Sequence, residues 1–179
     1  MSRPSRRRGD RRRVLSQNFL RDRSVATAAV DALGGTHRPV IELGAGDGAL
    51  TAELVRNGHQ VTAVELDPRW ARLLSRRFDG SVRVVRTDML RYRFPPAPYN
   101  VVSNVPYAIT TPLLRTLFEQ SGWEVAVLMV QWEVARKRTG GAGATLLTAS
   151  WWPWYDVTLL QRVPARAFRP VPRVDSGLL

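Results

Sequence analysis

Three glycines at alternate positions, Gly44, Gly46 and Gly48, follow the apolar run Val40-Ile41-Glu42-Leu43 and lead into a helix-forming stretch from Ala49. Residues without a Cβ let the backbone turn tightly and approach a ligand, and the first N–H groups of the following helix face it. Roughly 20 residues after Gly44, at the end of the apolar run Val61 to Val64, stands Glu65, where a βαβ nucleotide site places its acceptor for ribose hydroxyls. The glycine spacing is G-x-G-x-G, one residue short of the G-x-G-x-x-G that grips a pyrophosphate. This disfavours a nicotinamide dehydrogenase and favours a nucleoside ligand without a pyrophosphate, of which S-adenosyl-L-methionine is the commonest. The competing reading of Glu65 is a solvated carboxylate at a strand end.

A second apolar run, Val101 to Ser103, ends in Asn104-Val105-Pro106-Tyr107. The Asn104 amide oxygen and a backbone carbonyl beside Pro106 can both accept hydrogen bonds from an exocyclic amine, and the Tyr107 ring offers a platform for a planar base. Asp88, after a third apolar run, can accept from an adenine amine or cap a helix. In an open α/β sheet, ligands bind beyond the carboxyl ends of the strands, so these separate segments can share one crevice. The chemistry is methylation of an amine on a base taken out of its stack. A methyl on a sulfonium is already electrophilic, so no base of the histidine type is needed.

These residues resemble, in order, those of the ribosomal RNA adenine dimethyltransferases. The likeness runs through Gln17-Asn18-Phe19-Leu20, Glu42 to Thr51, Glu65-Leu66-Asp67, Asp88, Asn104 to Tyr107, Gln131 to Ala135 and Phe168 to Ser176. It is closer to the Erm branch, which modifies an adenine of 23S rRNA and confers macrolide, lincosamide and streptogramin B resistance, than to the KsgA branch acting on small-subunit rRNA. Ala45 stands where KsgA-like proteins usually carry proline, and an arginine-rich leader precedes Gln17. The resemblance implies that Gln17, Asn18 and Leu20 hold the cofactor from above together with Gly44, Gly46, Glu65, Asp88 and Asn104. It also implies that Phe168 clamps the far face of the base, although a core position for Phe168 is the competing reading. A glutamine or DNA-amine methyltransferase would share Asn-x-Pro-Tyr, usually with proline in place of Val105. A non-catalytic RNA-binding protein on the same scaffold is the remaining alternative.

Composition bears on the partner independently. The chain has 179 residues, a formal charge of +12 from 27 basic and 15 acidic residues, and Lys137 as its single lysine. A guanidinium forks onto phosphates and stacks on bases, so this balance points to RNA, although arginine-rich codon usage accounts for part of it. Residues 1–13 form a basic arm with Arg3, Arg6, Arg7, Arg8, Arg11, Arg12 and Arg13 against Asp10, unable to bury a core and suited to gripping phosphates. With no cysteine and only His37 and His59, metal ligands are scarce, and no metal is expected. No apolar run approaches the ~18 residues of a membrane span and no secretory core follows the leader, so a cytoplasmic location is expected; the resemblance implies large-subunit rRNA as the partner, and a monomer is expected.

To position such a site, the chain needs a Rossmann-like, mostly parallel doubly wound sheet spanning residues 14–179. Strands are expected at Pro39 to Leu43, Gln60 to Val64, Val82 to Arg86, Tyr99 to Ser103 and Val125 to Val130. Helices are expected after Asp22 and at Ala49 to Asn57, Pro68 to Phe78 and Pro112 to Gln120. Further on, a glycine hinge at Gly140 to Gly143 precedes Trp151, Trp152 and Trp154, which either stack on RNA or plug the sheet edge. Tyr155 to Leu160 reads as a strand, Pro164 to Pro172 as a rigid loop across the ligand end, and Val174 to Leu179 as the start of a last strand. The resemblance implies that the family's small helical C-terminal domain is absent from these residues.

Overall fold

Burial on both faces is what makes the central strands read as continuous apolar runs, and the computed structural model shows two separate cores that account for it. It describes residues 18–140, 143, 145–151 and 153–179. Gln17 and the arm arginines Arg6, Arg7, Arg8, Arg11, Arg12 and Arg13 lie outside the described residues, as does Trp152. Five parallel strands, β2 (Val40–Leu43), β3 (Val61–Glu65), β4 (Val82–Arg86), β5 (Tyr99–Asn104) and β6 (Trp123–Gln131), form the sheet with β7 (Gln161–Val163) and β9 (Ser176–Leu178) in the order β4-β3-β2-β5-β6-β9-β7. β9 runs antiparallel to both of its neighbours.

Side chains alternate between the two faces. Val40, Val61, Ala63, Val102, Val127 and Met129 meet α1 (Arg23–Asp31), α2 (Ala49–Arg56) and α3 (Pro68–Phe78) through Val25, Leu50, Leu54 and Leu74. Ile41, Leu43, Val64, Val101, Leu128 and Val130 meet α4 (Thr110–Phe118) and α5 (Trp132–Arg138) through Leu113, Leu117 and Ala135. A final short helix, α6 (Leu146–Trp151), follows. The mostly parallel sheet with helices on both faces matches the expected doubly wound architecture. Helix starts follow local chemistry: Asp22 caps α1 by accepting from Ser24 N at 2.9 Å, and Asp67 caps α3 by accepting from Arg69 N at 2.8 Å, with Pro68 at the first helical position.

Two segments depart from expectation, and the tryptophan cluster divides between its two readings. The strand read at Tyr155 to Leu160 falls instead at Gln161–Val163, because only those residues lie opposite β9; Leu160 N alone joins from the earlier run, donating to Leu178 O at 2.8 Å. Tyr155 packs against Phe118 and Trp123, and Trp151 stacks on Phe118 at 5.4 Å, so Trp151 plugs this edge while Trp154 stays 75% exposed. The proline-rich loop contains a short strand, β8 (Phe168–Arg169), which pairs antiparallel with β1 (Phe19–Leu20) and ties the N-terminal segment over the sheet's ligand end.

Candidate functional site

The sheet's strand order reverses at β2, which pairs with β3 on one side and β5 on the other, and a cleft opens beyond the carboxyl ends of these strands. Its cavity of about 320 Å³ is lined by Asn18, Leu20, Gly44, Gly46, Glu65 and Asp88 at one end and by Asn104, Pro106 and Tyr107 at the other. Residues separated widely in the chain are thus brought together as the spacing required. Ser103 Oγ, fully buried, donates to Leu43 O at 2.7 Å and locks the ends of β2 and β5 side by side.

The glycine loop is pinned from below. Glu65, 4% exposed, accepts from Gly46 N through Oε2 and from Asp67 N through Oε1, both at 2.7 Å. Burial pushes its carboxyl above the usual range against these two bonds, which favour the charged form. The Gly46 N–H is thus taken up by Glu65. Each carboxylate oxygen has a second acceptor position, so Glu65 can bind the loop and a ribose hydroxyl at once. Gly44 turns at φ 76°, a left-handed conformation that favours glycine, and a Cβ there would lie 2.6 Å from Met89 Cε, which would have to move aside.

Sequence reasoning did not single out Glu42 or Phe19. Glu42, 2% exposed beneath the loop, accepts from Thr51 Oγ1, and burial pushes its carboxyl up to about 8. Phe19 lies across Gly46 and packs on Trp70 with centroids 5.1 Å apart. Together with the Arg21 to Asp47 ion pair at 2.7 Å, this ring makes the N-terminal segment a roof over the glycine loop. Glu42 and Phe19 stand inside the quoted motifs, but nothing in their spacing tells a roof from a core residue.

At the other end, Asn104 Nδ2 donates to Asn18 O at 2.7 Å. A carbonyl can only accept, so this bond fixes the amide's orientation and leaves Oδ1 as the acceptor in the cleft. The Pro106 carbonyl accepts from Ile109 N at 3.0 Å, and Val105 beside it also lines the cavity and offers a further backbone carbonyl there. Tyr107, half-buried, shares a hydrogen bond of 2.8 Å with Ser176 Oγ. Asp88 both lines the cavity and caps the turn at Met89–Arg91, accepting from Leu90 N at 2.9 Å. Phe168 is a correction: its ring is 1% exposed in the same core as Leu20, and it lies off the cavity. Paired opposite Leu20 on β1, it takes the core position that was the competing reading.

Among the described residues, no group of three or more His, Cys, Asp or Glu is placed to hold a metal ion, and no helix is long and apolar enough to cross a membrane.

The family described as ribosomal RNA adenine dimethylase matches residues 9–179. The chain is 57% identical over 169 residues to the mycinamicin-resistance protein MyrB of Micromonospora griseorubida, covering 94% of this chain and 54% of that protein. It is 41% identical over 172 residues to an rRNA adenine N-6-methyltransferase of Corynebacterium diphtheriae, covering 96% of this chain and 68% of that one. The crystal structure of the 23S rRNA methyltransferase ErmE superposes with a TM-score of 0.85 at 38% identity, covering 90% of this chain and 68% of that chain. The chain spans about half the length of the first of these curated relatives.

Proposed function

The chain belongs to the ribosomal RNA adenine dimethylase family, and from that membership we propose that it transfers a methyl group from S-adenosyl-L-methionine to the exocyclic amine of an adenine in 23S rRNA, giving resistance to macrolides, lincosamides and streptogramin B. The observation that carries this reading is the pairing, in one cleft, of a glycine cradle held by Glu65 with an Asn104 amide whose orientation is fixed by Asn18. The likeness to a mycinamicin-resistance protein and to a 23S rRNA methyltransferase supports the large-subunit target.

The residues present fit the cofactor. Gly44 holds the positive φ that the turn requires, Glu65 offers acceptors for ribose hydroxyls, and Asp88, lining the same cavity, offers an acceptor for an adenine amine. Asn18 and Leu20 close the cavity from above, with Gln17 assigned the same role. When bound, S-adenosylmethionine supplies a methyl already activated by its sulfonium. The chain's own task is then geometric. Asn104 Oδ1 and the Val105 carbonyl accept both hydrogens of the target amine, drawing its lone pair out of conjugation with the ring, while Pro106 stiffens the turn that presents them. Tyr107 stacks on the unstacked adenine. The arm at residues 1–13 grips phosphates, and residues 14–179 form the catalytic domain.

Incubation with methyl-labelled S-adenosylmethionine and large-subunit rRNA tests this. Label is expected in N6-methylated adenosine with the natural chain and is expected to vanish with Asn104→Ala. Equal labelling by that variant would exclude the proposed amine geometry.

A further inference from the structure

The hydroxyl of Tyr107 takes no part in the chemistry proposed above, since stacking needs only the ring. A phenylalanine would stack as well, yet the phenol oxygen is spent on a specific partner, Ser176 Oγ at 2.8 Å. Ser176 is 1% exposed and stands on β9, far along the chain from the Asn104 to Tyr107 turn. Its backbone is fixed from two sides, opposite Gln131 of β6 and Val163 of β7. The preceding residue is tied as firmly. Asp175 O accepts from Trp132 N at 2.9 Å, and its carboxylate accepts from Ala165 N and Arg162 Nε, each at 2.8 Å. These two backbone bonds and the Arg162 bond leave the Ser176 oxygen little freedom to move.

Tyr107 itself opens a short 3-10 turn, Tyr107–Ile109, whose preceding residues Val105 and Pro106 carry the chemistry. A ring on such a turn has two free torsions, and the turn alone does not fix its plane. The hydrogen bond to Ser176 supplies a second fixed point at the far end of the ring, so that plane and distance are set by the sheet rather than by the loop.

We propose that Ser176 is a positioning residue for the target base: by anchoring the Tyr107 hydroxyl, it sets the plane on which the adenine stacks relative to Asn104. This rests on reading Tyr107 as the base platform. It also gives a physical reason for a serine at the end of the Phe168 to Ser176 segment, which neither lines the cavity nor contacts the cleft's polar groups otherwise.

A double-mutant cycle tests it, using the full chain, labelled S-adenosylmethionine and large-subunit rRNA, with cofactor affinity measured separately by calorimetry. Ser176→Ala and Tyr107→Phe each remove one end of the same bond. Each is expected to lower kcat by about 3- to 10-fold while changing the cofactor Kd by less than about twofold, and the double variant is expected to lose no more than either single one. A purely structural staple would lower the melting temperature without this selective loss in kcat. An unchanged kcat in Tyr107→Phe, or additive losses in the double variant, would overturn the proposal even if Ser176→Ala failed to fold. Absence of methyl transfer by the natural chain would instead remove the reading on which it rests, and the proposal with it.

Discussion

Glu65 carries two loads, and separating them is the sharpest statement available at the scale of single residues. Its carboxylate holds the Gly46 and Asp67 N–H groups, and in the proposed site it also accepts ribose hydroxyls. Glu65→Ala is expected to weaken S-adenosylmethionine binding by about 1.5 to 3 kcal/mol, the range for a lost hydrogen bond to a charged group. Calorimetry with and without cofactor, beside a thermal melt of the free chain, separates ligand contact from loop support. A variant that melts lower but binds the cofactor as tightly would leave Glu65 a structural strut. Both Glu65 and Asn104 were legible in the sequence, because a strand end followed by a polar residue marks the ligand edge of a parallel sheet. Phe168 was not, since an aromatic residue in a proline-rich loop looks the same whether it faces a cleft or a core. Only its pairing across β1 decides the matter.

Among the elements, the turn from β2 into α2 is where backbone conformation is most constrained. Gly48 caps α2 at φ 84°, and a Cβ there would lie 2.8 Å from Leu74 Cδ2. Gly80 has a similar φ of 78°, but a Cβ there would meet nothing within 4 Å, so it serves as the control. Gly80→Ala is expected to cost only the backbone penalty of about 1 to 2 kcal/mol, and Gly48→Ala more, because α3 must also give way. Urea denaturation of both variants compares them directly; equal losses would mean that Leu74 yields without cost. The strands β2, β3 and β5 could be read from apolar runs because both of their faces are buried, and β4 and β6 from the apolar residues they turn towards the core. β7, β8 and β1 could not, because a short strand exists only where a partner lies beside it, and periodicity carries no information about the partner.

For the molecule as a whole, stability and pH are coupled through Glu42. Its carboxyl is pushed up to about 8 by burial, so between the ordinary carboxylate range and that value the folded chain retains a proton that the unfolded chain has released. Folding is then linked to proton uptake, and stability falls as pH rises through this window, by at most roughly 1.4 kcal/mol per pH unit. Glu42→Gln mimics the protonated form and is expected to flatten that slope in urea melts taken from about pH 5 to about pH 8. An equal slope in the variant would place the linkage elsewhere. Charge is distributed as unevenly as function would require. Besides the arm, Arg69, Arg72, Arg76 and Arg77 on α3 are exposed, and among the described residues none of the four forms an ion pair with a carboxylate. A chain with this charge is suited to a large polyanion.

The most direct measurement is nucleoside mass spectrometry with primer extension on rRNA from a susceptible host expressing the chain. The account predicts N6-methylation at one adenine of 23S rRNA, lost with Asn104→Ala. Modification confined to small-subunit rRNA, or none in 23S rRNA, would contradict it.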